Sequence, residues 1–109
     1  MAKHLFTSLI QCKCCNYNYR YINERGTNKY ICSGYSRQIS NCKRYIIQEK
    51  ELLYLIQIFC NRNHIQIEYT NDFMKNIIDK IYINGENDSI RIIYKNGEEG
   101  ICSRSEILI

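Results

Sequence analysis

The chain of 109 residues has no tryptophan, no proline and no valine, a single alanine and only five glycines. With so little proline and glycine, a collagen-like chain, a mucin-like stalk and a flexible interdomain linker are all excluded. Long apolar runs are missing too. The longest, 52–60, is interrupted by Gln57 and is about half of what a membrane span needs. The stretch 5–10, which follows Lys3 and His4, is too short and too polar for the apolar segment of an export signal. There is no phosphate-binding glycine loop, no paired-histidine zinc-protease motif and no nucleophile elbow, so no catalytic residue is assigned.

What the chain does contain is 20 isoleucines, 12 asparagines, 10 tyrosines and 8 lysines. This is the bias that AT-rich codons produce, and we read it as genome composition, as in a low-GC bacterium. At 45% hydrophobic and 24% charged residues the composition is that of an ordinary globular protein, of a size for one domain or one pair of lobes. The net charge of +4 is unevenly spread. Residues 1–60 carry nine basic and three acidic side chains, net +6, whereas 61–109 carry six and eight, net −2. A basic half of this kind points to a nucleic-acid face, and the acidic half to a supporting lobe.

Periodicity supplies a coarse architecture. The segment 5–11 reads as a short strand. Tyr17, Tyr19 and Tyr21 alternate with polar residues, as in a strand, with a turn at 24–28 around Gly26 and a return strand at 29–32. The polar segment 33–41 reads as a loop. Leu52, Leu53, Leu55, Ile56 and Phe59 recur at three-to-four spacing and predict a helix over 47–60. A second short helix is predicted over 71–80, capped by Thr70 or Asn71, with Phe73, Ile77 and Ile78 inward. Residues 81–83 and 89–94 then form a hairpin, and Asn96-Gly97 turns into Ile101-Cys102.

Seven cysteines form the strongest chemical signal. An odd count without an export signal argues against a disulfide scaffold, and a reducing cytoplasm favours metal binding. Cys12 and Cys15 have the two-residue gap of a metal knuckle. Sixteen residues of predicted hairpin separate them from Cys32, and nine more lead to Cys42. Four thiolates make a closed tetrahedral zinc site, structural in kind. A lobe of about 45 residues buries too little apolar surface to fold easily without such a staple. The rival reading of Cys12 and Cys15 as a redox pair wants a helix N-terminus to activate a thiolate, and the knuckle stands in a hairpin context. Cys14 is a poorer knuckle partner, Cys60 and Cys102 read as bystanders, and His4 and His64 are not at ligand spacing.

Basic and aromatic residues interleave around these cysteines. Lys13, Arg20, Lys29, Arg37, Gln38, Lys43 and Arg44 are the candidates for DNA contact, since lysine and arginine neutralise phosphates and arginine and glutamine read base edges. The tyrosines of the hairpin are assigned to packing across it.

Three segments together, 4–15 with its Leu-Phe pair and knuckle, 30–34 with Tyr30-Ile-Cys32-Ser-Gly34, and 42–53 with Cys42 before an acidic leucine-rich helix, resemble the zinc β-ribbon domain of large serine recombinases, the phage integrases and mobile-element transposases. The tail through Asn96-Gly97 is similar to the segment after that ribbon. Ser8 and Asn16 stand where the family commonly has glycine, and asparagine tolerates a left-handed backbone. The family's catalytic serine domain and long coiled-coil insertion have no counterpart in this sequence, so the resemblance implies a chain that does not itself cut DNA, whether excised domain, remnant or stand-alone protein.

These readings combine into one expectation. The fold is α+β: a small four-cysteine zinc β-ribbon with trailing helix over 1–60, then a second short helix and a C-terminal β-hairpin over 61–109, packed as one unit. It holds one structural zinc ion at Cys12, Cys15, Cys32 and Cys42. It binds double-stranded attachment-site DNA without catalysing strand exchange, in a bacterial cytoplasm at the nucleoid, with recombinase subunits as further partners and neither membrane nor small-molecule substrate. The alternative is a stand-alone zinc-ribbon protein that docks on a recombinase or another protein and modulates its assembly or direction.

Overall fold

The computed structural model describes residues 4–38 and 45–103. It is a mixed α+β domain, with three helices and two sheets among these residues. None of its helices is long and apolar enough to cross a membrane.

The first sheet grows from the predicted hairpin. Strand β2 (Tyr19–Glu24) pairs antiparallel with β3 (Thr27–Cys32), and Tyr19 lies opposite Cys32 and Tyr21 opposite Tyr30. Two residues close the turn, Arg25 at φ 53° and Gly26 at φ 78°. Two positive φ angles in succession give a loop whose twist matches its strands, and glycine adopts the second without strain. A third strand, β4 (Ile46–Gln48), adds antiparallel to β3. Its residues Ile47 and Gln48 were expected as the start of the helix, which begins only at Glu49. Ile46 and Ile47 are β-branched and suit a pleated surface better than a first helical turn. After β3 comes the single-turn helix α1 (Ser33–Ser36), within the segment expected as a loop.

Helix α2 (Glu49–Arg62) buries Leu52, Ile56, Phe59 and Cys60 along one stripe and leaves Tyr54, Gln57 and Ile58 outside. Tyr30 ties it to the sheet: its hydroxyl donates to Glu49 Oε2 at 2.8 Å and accepts from the Phe6 N–H at 3.1 Å. Helix α3 (Asn71–Ile77) starts at Thr70, whose Oγ1 accepts from the Phe73 N–H at 3.1 Å. Inside it, Asn71 and Met74 are buried, whereas Phe73 and Ile77 are only half-buried. The helix stops short of the expected Lys80 because the isoleucine-rich run that follows is taken up as strand. We expect Thr70→Ala to lower stability by about 1 kcal/mol, through loss of the cap, and to cost a few degrees of Tm in a thermal melt. An unchanged Tm would refute the capping role.

The second sheet has the order β1-β5-β6-β7. Strands β5 (Ile78–Asn84), β6 (Ser89–Tyr94) and β7 (Glu99–Ser103) form an antiparallel meander: the expected hairpin, extended after the expected turn at Asn96-Gly97 by a third strand that contains Ile101 and Cys102. Gly97, at φ 94°, turns the chain from β6 into β7. The fourth strand comes from far away in sequence: β1 (Ile10–Cys12) lies parallel to β5, with Ile10 opposite Ile81 and Cys12 opposite Ile83. The second sheet therefore draws strands from both sides of residue 60. Phe6, Ile10, Tyr30, Ile47, Leu52, Ile56, Ile81, Ile83 and Ile90 belong to one continuous core shared by both sheets and α2.

Candidate metal centre

Strand β1 ends on Cys12, and the chain then folds back at once. The Asn16 N–H donates to the Cys12 carbonyl at 2.9 Å and the Cys12 N–H to the Tyr17 carbonyl at 2.9 Å. Gln11 Nε2 closes the loop from outside by donating to the Asn16 carbonyl at 3.0 Å. This reversal needs a left-handed residue, which Asn16 supplies at φ 65°. Ser8, one turn earlier, has φ 68°. Cys32 arrives from the end of β3, where the Ser33 N–H donates to the Asn18 carbonyl at 3.0 Å.

The two loops bring three sulfurs together. Cys12, Cys15 and Cys32 have Sγ atoms all within 4.8 Å of one another, and Cys15 and Cys32 are 3.4 Å apart. That is far beyond a disulfide bond length. It is close to the ~3.8 Å that two thiolates adopt around a tetrahedral ion at about 2.3 Å. Among the described residues this is the single grouping of three or more His, Cys, Asp or Glu side chains able to hold a metal ion. Burial, reinforced by the neighbouring Cys15 and Cys12 thiols, pushes the Cys32 thiol up to about 11. Tyr19, deeply buried beside Cys12 and Cys32, is pushed upward as well, chiefly by burial. A cation at this spot would favour the thiolates that burial disfavours, and the donor set fits a thiophilic ion such as zinc. Cys42 lies outside the described residues, as do Lys43 and Arg44.

The remaining cysteines fall elsewhere. Cys14 is exposed, with Sγ 3.8 Å from Asn84 Oδ1. Cys60 is buried in the core at the end of α2, and Cys102 sits in β7. His4 is exposed and stacks on Tyr21, and His64 is exposed.

The knuckle is seated on the second sheet. The Lys13 N–H donates to the Ile83 carbonyl at 2.9 Å, and Lys13 Nζ lies 4.4 Å from the centre of the Tyr82 ring. Gly85, in the turn after β5, is pressed against Tyr45: a Cβ there would lie 3.1 Å from the ring. Sequence reasoning missed this seat, because nothing in 82–85 marks it locally.

The described basic candidates divide into two places. Arg20 and Lys29 lie on the same face of the first sheet, diagonal to each other, because Arg20 is opposite Ile31 and Ile22 opposite Lys29. Arg20 Nε donates to Ser36 Oγ at 2.9 Å, which draws the end of α1, with exposed Arg37 and Gln38 just beyond, towards that face. Lys29 is half-buried and pairs with Glu24 at 3.3 Å. Lys13 stands apart, on the second sheet. No protein family, curated protein or solved structure matches the chain.

Proposed function

We propose that the chain is a zinc-stabilised DNA-binding module of the kind that large serine recombinases carry, with Cys12, Cys15, Cys32 and Cys42 as the ligands of one structural ion. The convergence of the three described sulfurs carries this reading. The left-handed backbone at Ser8 and Asn16 supports it, since these are the two positions at which the resembled pattern has glycine. Zinc would fix the knuckle and the end of β3 relative to each other. That in turn would hold Arg20, Arg37 and Gln38 as a cationic and amide-bearing edge towards phosphates and bases, with Lys29, Lys43 and Arg44 adding charge and Lys13 a separate contact. The chain binds DNA in this reading, and strand cleavage belongs to a serine-nucleophile domain.

The test is fluorescence anisotropy on attachment-site-like and scrambled duplexes over a salt series. Affinity should fall linearly in log–log form, because the fixed number of counterions released on binding gains less entropy as bulk salt rises. Arg20→Ala and Arg37→Ala should each weaken binding to both duplexes and flatten the slope by about one unit. Failure to bind either duplex at low salt would overturn the reading.

A second reading has its own observation. Tyr54, Ile58 and Ile101 are exposed apolar side chains, and Leu55, Ile58 and Ile101 line a groove between α2 and β7. In the protein-binding alternative, this surface docks on a recombinase. Capture of a purified recombinase by a chain without DNA affinity would favour it.

A further inference from the structure

Two of the 12 asparagines precede a glycine, at Asn84-Gly85 and Asn96-Gly97. In such a pair the glycine nitrogen can approach the asparagine's own side-chain carbonyl, because no Cβ stands in the way. The two pairs begin alike. Asn84 Oδ1 accepts from the Glu86 N–H at 3.0 Å, and Asn96 Oδ1 accepts from the Glu98 N–H at 2.9 Å. Each bond folds the side-chain carbonyl over the following peptide and polarises it. Their surroundings differ. Asn84 and Gly85 are half-buried. The Tyr45 ring is 3.1 Å from where a Cβ on Gly85 would stand, and Cys14 Sγ lies 3.8 Å from Asn84 Oδ1. Asn96 and Gly97 are both exposed, and a Cβ on Gly97 would meet nothing within 4 Å among the described residues. The Gly97 N–H donates to the Tyr94 carbonyl at 3.1 Å, and this bond must open before the nitrogen can react. It sits at the tip of a surface turn, where local opening costs least.

We propose that Asn96 is a site of spontaneous modification, which closes to a cyclic imide with Gly97 and reopens as aspartate or isoaspartate. Hydroxide takes the proton from the Gly97 nitrogen, which attacks Asn96 Cγ. The Cγ–Nδ2 bond breaks, and Nδ2 leaves as ammonia with a proton from water, which restores the hydroxide. Water then opens the imide. Cleavage between Cγ and the Gly97 nitrogen leaves aspartate, whereas cleavage between the main-chain carbonyl carbon and that nitrogen leaves isoaspartate, with one extra methylene in the main chain. Nothing is oxidised or reduced, and water is the sole co-reactant. Aspartate puts a carboxylate where Asn96 Nδ2 now donates to Glu98 Oε1 at 3.3 Å. Glu98 also accepts from Arg62, in the last turn of α2, so two carboxylates then face one guanidinium. Isoaspartate further lengthens the chain inside the loop closed by the Tyr94 N–H and the Glu98 carbonyl at 2.9 Å.

The experiment ages the full chain in mildly alkaline buffer, folded and in concentrated urea, and follows amide-to-acid conversion by mass spectrometry of the digest. In the folded chain Asn96 should convert about tenfold faster than Asn84, equal to ~1.4 kcal/mol between the two barriers. In urea, with Tyr45 and the turn gone, the two rates should converge. Absence of conversion at Asn96 in the folded chain, or conversion of Asn84 at the same rate, would overturn the proposal. A gap that persisted in urea would place the cause in the sequence and not in the fold, and would sink it as well. Asn96→Asp, made directly, should melt a few degrees below wild type through like-charge repulsion in the turn. An unchanged Tm would refute the effect on the turn.

Discussion

Stripping zinc from the chain with a strong chelator should melt both sheets together. In zinc-finger peptides a structural zinc contributes about 10–16 kcal/mol at neutral pH, as much as or more than the ~5–15 kcal/mol total stability of a typical domain. The coupling to the second sheet is direct. Cys12 is the last residue of β1, β1 lies parallel to β5 with Cys12 opposite Ile83, and the next residue donates its N–H to the Ile83 carbonyl. When the knuckle opens, the edge of the meander loses its partner, and Phe6, Leu9 and Ile10 leave the shared core. Amide signals of β5 and β6 should therefore collapse along with those of β2 and β3 in two-dimensional NMR, and Cys32→Ser should give the same spectrum without chelator. A chelated chain that kept its amide dispersion and Tm would defeat both the metal reading and the coupling.

Ile83→Ala should have the next largest effect, and on two quantities at once. Ile83 is fully buried and lies across the ladder from Cys12. Removing its side-chain atoms beyond Cβ should cost about 2–5 kcal/mol, by lost transfer energy and by the cavity left behind. Where metal binding and folding are one event, that loss also appears in the metal equilibrium. Apparent zinc affinity should fall by roughly 30- to 4,000-fold, the same free energy expressed as a ratio. Thermal melts of the loaded protein and chelator competition titrations measure the two independently. A large drop in Tm with unchanged zinc affinity would show that the site is preformed without the second sheet.

Features set by short-range physics were legible in the sequence. The stripe from Leu52 to Phe59 has one meaning on a helix, and α2 buries Leu52, Ile56 and Phe59 as that spacing requires. Gly26 marked the turn between two strands, and the two-residue gap from Cys12 to Cys15 marked the knuckle that brings their sulfurs together. What was not legible depends on partners distant in the chain. The strand expected over 5–11 is confined to Ile10–Cys12, with turns over 5–9, and its distant partner β5 could not be read from either segment alone. The β-branched Ile46 and Ile47 are too short a run to outweigh the helical stripe that follows, and pairing with β3 decides for strand. Lys13 was grouped with Arg20 because both are near the cysteines in sequence. The ladder instead sends the Lys13 side chain to Tyr82, away from the face that Arg20 and Lys29 share.

The parallel pairing of β1 with β5 also sets the order in which the molecule can be assembled during synthesis. Chains leave the ribosome from the N-terminus at about 5–20 residues per second. Cys14 and Asn84, which end up side by side, are 70 residues apart. The hairpin of β2 and β3 needs only its own two-residue turn, so Cys12, Cys15 and Cys32 emerge early and can gather while the sheet that will seat them is still being made. For those seconds the nascent hairpin has thiols and no seat, and ion capture at that stage would pin its two loops before the strand that completes the fold has been translated.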